Sequence, residues 1–137
     1  MNITLQFTAL FFLSLFVSFL VSLLMLFVYD QTNYIQYVQK EEMKVDAKTL
    51  ISSVTLSVIV VSVLWYCIIS QQRGATDAFI LGIVMTAYSE FTAACLFNNW
   101  PLHVAIIDTL AGGSVFAVTT VLYNALFRSN NNYVADY

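Results

Sequence analysis

Long runs of apolar residues, separated by short polar breaks, dominate this chain. A helix needs about 20 mostly apolar residues to cross the hydrocarbon core of a bilayer. The runs are continuous and do not alternate with a period of two, so they favour helices over the strands of a membrane barrel. They predict an all-α integral membrane four-helix bundle, a single domain over 1–137 with short connections, one polar interfacial loop and a polar tail at 128–137. The predicted spans are 5–29, 50–70, 78–97 and 102–127.

The one sizeable polar connection, 30–49, separates the first two spans. In its first half, Tyr34, Tyr37 and Val38 are spaced at i, i+3 and i+4, which predicts a short helix lying in the membrane interface. Its second half carries three basic and three acidic residues. This mixture is typical of a solvated helix face and lacks the uncompensated basic cluster that binds anionic lipid. We expect this loop and the tail 128–137 to contact neighbouring proteins.

Composition agrees with a bilayer protein and excludes several other classes. Hydrophobic residues make up 60% of the chain and charged residues 9%, whereas soluble domains carry roughly a quarter charged residues. An isoelectric point of 4.7 and five scattered basic residues argue against a nucleic-acid partner. The chain lacks glycine phosphate loops, G-x-S-x-G and H-E-x-x-H, and its lone His103 has no metal-ligand spacing. We therefore expect no enzyme, no cofactor and no metal, and the sequence identifies no small-molecule substrate.

Small residues recur at helical spacing in three spans, including Ser53 and Ser57 in the second span. Ser14, Ser18 and Ser22 follow one another at every fourth position, and Gly113 and Ala117 form a small-xxx-small pair. Helices associate in lipid where small residues permit close approach. These stripes predict either the inward faces of the bundle or a face that meets another protein, and the sequence does not separate the two.

Two acidic residues, Glu90 and Asp108, lie inside the third and fourth spans. An Asp at the centre of a spanning helix costs about 2.5 to 3.5 kcal/mol, so both side chains should face protein or water. The connection between the spans is short, which places both acids roughly 10 Å from the same membrane face. Thr86 and Gly112 lie one turn away from them and continue a small, polar face on each helix.

This intramembrane polar pair has two interpretations. Two carboxyl groups in a low-dielectric site cannot both ionise cheaply, which suits the transfer of a proton or cation. Alternatively, hydrogen bonds of the pair pin the third helix to the fourth, and we favour this interpretation because no further basic residue or ion-binding motif accompanies the acids. In the turn between the spans, Trp100 is predicted to anchor the chain at the headgroup level, and Pro101 to occupy the first turn of the fourth helix.

The stretch from Gly82 to Gly112 resembles a family of small four-span membrane proteins of unknown function, the domain-of-unknown-function family 2177. Its signature is acidic-x-Thr-Asn, a Trp-Pro-Leu turn, and an Asp followed four residues later by Gly. The chain matches it at Glu90-Phe91-Thr92, Trp100-Pro101-Leu102, Asp108 and Gly112. Ala93 and Ala111 depart from it, since the family tends to have Asn and Trp there. The family occurs in bacteria and in large DNA viruses, and loss of the Asn beside the acid favours a scaffold role.

Together these observations predict a structural, multi-pass membrane protein that anchors or organises a larger assembly. The resemblance extends this expectation to a minor capsid component in the internal membrane of a large DNA virus. The alternative is a small proton- or cation-coupled transporter that uses Glu90 and Asp108.

Overall fold

The computed structural model describes residues 2–30, 47–98 and 100–128, which form four helices. All four are long and apolar enough to cross a membrane. This confirms the prediction of an all-α, four-helix membrane protein. The predicted interfacial helix around Tyr34 and most of the loop and tail expected to contact partners lie outside the described residues. The helices are α1 (Ile3–Asp30), α2 (Ala47–Leu64), α3 (Ala75–Leu96) and α4 (Leu102–Tyr123).

The helices run up and down in succession. One cavity is bounded by Thr4 and Phe7 near the start of α1 and by Trp65 just after α2, so these two helices are antiparallel. At the same end of the bundle, Gln72 accepts a 2.8 Å hydrogen bond from Arg128, which follows α4. We call this end the Arg128 face and the opposite end, which carries the α3–α4 turn, the Trp100 face.

Helix α4 lies at the centre of the bundle. Its contact with α3 is the most extensive between any two helices, and it also packs against α1. About 39% of the most apolar stretch of α4 is buried, against 6% of that of α3. Packing is therefore asymmetric. Helices α3 and α4 form one tight hairpin, α1 packs against α4, and α2 packs against α1. The core cluster comprises Leu10, Val61, Leu64, Ile68, Ala78, Phe116 and Tyr123.

Much of the outer surface is apolar. Phe12, Phe27 and Tyr88, for example, are more than 60% exposed. In water such a surface would drive aggregation. In a bilayer the lipid tails solvate it, and small residues rather than apolar area determine which helices associate.

Two helices widen into a π-helical turn before they end, over Trp65–Ile69 and over Asn124–Arg128. In the first, Ser70 N–H donates to Trp65 O over 2.8 Å. Gln72 then takes a positive φ of 57°, which reverses the chain into α3. The hydrophobic pattern did not predict these turns, because a one-residue bulge leaves the apolar run uninterrupted.

Candidate functional site

The structure brings Glu90 and Asp108 together on adjacent helices. Glu90 lies six positions before Leu96, where α3 ends, and Asp108 six positions after Leu102, where α4 begins. A rise of 1.5 Å per residue puts both about 9 Å from the helix ends at the Trp100 face. Both side chains are half-buried, and the two carboxyl groups are close enough to interact electrostatically.

Trp100 links the turn to this pair. Its Nε1–H donates to Glu90 Oε2 over 3.2 Å, and its ring lies 6.1 Å from that of Phe97. The sequence predicted an interfacial anchor at Trp100 but not this bond. The sequence did contain a signal for it. Trp100 carries an indole N–H donor and lies in the turn that follows the helix of Glu90, an acid that needs a hydrogen-bond donor. Pro101 sits at the N-cap of α4, one position before the helix begins, in an extended conformation.

Glycines let α3 and α4 approach closely beside the acidic pair. A Cβ added at Gly82 would lie 2.6 Å from Gly112 O, and one added at Gly112 would meet the side chain of Thr86, whose Cβ would be 2.7 Å away. Thr86 and Gly112 therefore fit into each other one turn away from the acids. Thr92, by contrast, is exposed and donates back to Tyr88 O within its own helix.

The remaining predicted packing residues take different positions. Gly113 is buried, and a Cβ there would lie 2.7 Å from Ile83 Cγ1, while Ala117 is half-buried. Ser14 and Ser18 are half-buried between helices, whereas Ser22 is exposed. The serine stripe expected to face inward therefore ends at Ser18, because no described residue covers the next part of α1. The leucines around Ser22 are exposed as well, namely Leu20, Leu23 and Leu24.

Ser14 and Ser18 line a 260 Å³ cavity between α1, α2 and α4. Thr119 lies on its wall with 0% exposure, and its hydroxyl has no hydrogen-bond partner among the described residues. Thr120, equally buried, donates to Phe116 O over 2.8 Å. Of the two neighbouring hydroxyls, only that of Thr120 bonds to its own helix, while Thr119 lines the cavity.

No family model, curated protein or solved structure matches this chain. The resemblance to family 2177 stays a prediction, and the role of the acidic pair is inferred from its geometry.

Proposed function

We propose that this chain is a structural membrane protein whose α3–α4 hairpin is a fixed platform within a larger assembly. The observation that carries the proposal is the bond from Trp100 Nε1 to Glu90 Oε2. Through this bond the carboxyl group of Glu90 holds the turn onto α3, as expected for a clamp between the turn and the helix. A hydrogen bond in a poorly solvated site is stronger than one in water.

The glycine contacts support the same role. Gly82 brings the two backbones together, since a Cβ there would meet backbone atoms of α4, and Gly112 makes room for the side chain of Thr86. Dispersion contacts at this distance favour one relative position of the helices. A hairpin held by packing along its length and by a clamp at its turn suits a protein that positions other components.

The topology gives such a protein two places to attach partners. Four successive helices put Asp30 and Ala47, which border residues 31–46, on the Trp100 face and Arg128 on the opposite face. The partners proposed here are the lipid bilayer and neighbouring proteins that contact these two polar segments. The finer form of the proposal, taken from the resemblance, is a minor capsid component in the internal membrane of a large DNA virus.

A truncation tests the proposal. The full chain, extracted from its native membrane with its surrounding lipid, should migrate as part of a complex much larger than 15.4 kDa. Deleting residues 129–137 should release it from that complex while membrane insertion is retained. Replacing the same residues with a glycine–serine segment of equal length controls for chain length and should also release it. A full chain that is monomeric on extraction, or a truncated chain that stays in the complex, would refute the proposal.

A second candidate function is proton- or cation-coupled transport, which the proximity of the two half-buried carboxyl groups favours. Purified protein reconstituted in vesicles should then carry a flux that Glu90→Gln combined with Asp108→Asn abolishes. Absence of flux in the unmodified protein rules this candidate out and leaves the structural role untouched.

A further inference from the structure

A groove opens on the outer surface between the π-helical turn that follows α2 and the start of α3, at the Arg128 face. It has a volume of 340 Å³ and lies apart from the acidic pair and from the serine-lined cavity. The wall formed by α3 beyond Asp77 is apolar and consists of Ile80, Leu81 and Val84. These residues follow Asp77 at i+3, i+4 and i+7, so one face of α3 carries both the acidic and the apolar part of the groove.

The polar residues of the groove collect at its mouth. Arg73 and Asp77 line it there, both exposed, together with Gln71. Arg73 donates its Nε–H to Gln71 Oε1 over 3.0 Å, which orients a guanidinium that carries five N–H donors in all. The mouth therefore presents one positive and one negative group.

The groove extends over about two thirds of one leaflet. From Asp77, the first residue of α3 that lines it, to Val84, the helix rises about 10 Å. Half of a hydrocarbon core of roughly 30 Å is about 15 Å. An acyl chain lying along Ile80 and Val84 would thus place its headgroup beside Arg73 and Asp77.

We propose that this groove binds phosphatidylethanolamine, with the phosphate on Arg73, the primary ammonium on Asp77 and one acyl chain along α3. A guanidinium pairs with phosphate oxygens, and a carboxylate accepts hydrogen bonds from a primary ammonium. The quaternary ammonium of a choline headgroup donates no hydrogen bond and is bound by aromatic cages, whereas no aromatic ring lines the described groove. A glycerol headgroup would offer Asp77 only neutral hydroxyl groups, which donate weaker hydrogen bonds to a carboxylate than an ammonium does. The site does not depend on the structural role proposed above.

Lipid competition tests the proposal. The purified full chain in mild detergent is given equal amounts of phosphatidylethanolamine, phosphatidylcholine and phosphatidylglycerol, and the lipid that remains bound is measured by native mass spectrometry. We expect a preference for phosphatidylethanolamine of roughly five-fold, the effect of one exposed charge-assisted contact. Asp77→Asn should remove this preference, and Arg73→Gln should lower the binding of all three lipids.

Arg128→Gln is the matched control, because Arg128 is an exposed arginine on the same face that lines a different cavity. It should leave the preference unchanged. Equal retention of the three lipids by the unmodified chain would overturn the proposal. So would a preference that survives Asp77→Asn, or an effect of Arg128→Gln equal to that of Arg73→Gln.

Discussion

Gly82 is the position where a single methyl group should disturb the bundle most. A Cβ there would lie 2.6 Å from Gly112 O and 2.9 Å from Gly113 Cα, and both are backbone atoms of α4. Ordinary contact begins near 3.4 Å. Gly82→Ala therefore has to move α3 and α4 apart, because no flexible side chain can yield.

The required movement gives the magnitude. The backbones must separate locally by about 0.8 Å, and a gap of this size forfeits a quarter to a half of each dispersion contact across it. Overpacking of a close contact costs about 1–3 kcal/mol. The higher helix propensity of alanine offsets little of this in a bilayer, where the apolar medium already enforces the helix.

The assay is reversible unfolding of the full chain in mixed micelles, followed by circular dichroism, for the unmodified protein and for Gly82→Ala. Gly74→Ser is the matched control, because a Cβ at Gly74 meets nothing within 4 Å and the serine hydroxyl can cap α3. We expect Gly82→Ala to lose about 1–3 kcal/mol of unfolding free energy and the control to lose none. If Gly82→Ala is as stable as the unmodified chain, the close approach of α3 and α4 is refuted.

Three further predictions use the same unfolding assay. Trp100→Phe should lower the unfolding free energy by about 1–3 kcal/mol, because it removes the hydrogen bond to Glu90. In the Glu90→Ala background the same change should cost much less. Equal costs in both backgrounds would show that the two side chains do not interact. Thr119→Val should leave the unfolding free energy unchanged or raise it, because it removes a buried hydroxyl without a described partner. Thr120→Val should lower it by roughly 1 kcal/mol, because the bond to Phe116 O is lost. A larger loss for Thr119→Val than for Thr120→Val would contradict the hydrogen bonding described for the two hydroxyls. Gln72→Gly should be more stable than Gln72→Ala by about 1 kcal/mol. Both substitutions remove the bond to Arg128, but only alanine is strained at a φ of 57°. Equal stability of the two variants would mean that the turn relaxes.

The acidic pair shows how far the sequence reaches into the site. Equal distances from a short turn predicted Glu90 and Asp108 at one depth on neighbouring helices, and the structure places them there. This worked because a helix has a fixed rise, so position along the chain converts directly into depth. The bond from Trp100 to Glu90 was not predictable in the same way, since it depends on how the turn folds back onto α3.

The sequence by itself determined that this protein is helical, that it has four segments able to cross a bilayer, and that its charges lie mostly outside them. A bilayer imposes these properties locally, residue by residue, through the cost of unpaired polar groups in hydrocarbon. Only the tertiary structure decided which helices are neighbours and which faces meet. Lipid solvates every apolar face equally well, so the choice among them falls to close contacts such as Gly82 against Gly112. The same reason explains why Ser14 and Ser22, which are equivalent in the sequence pattern, differ in the structure. Ser14 is half-buried against neighbouring helices, and Ser22 is exposed.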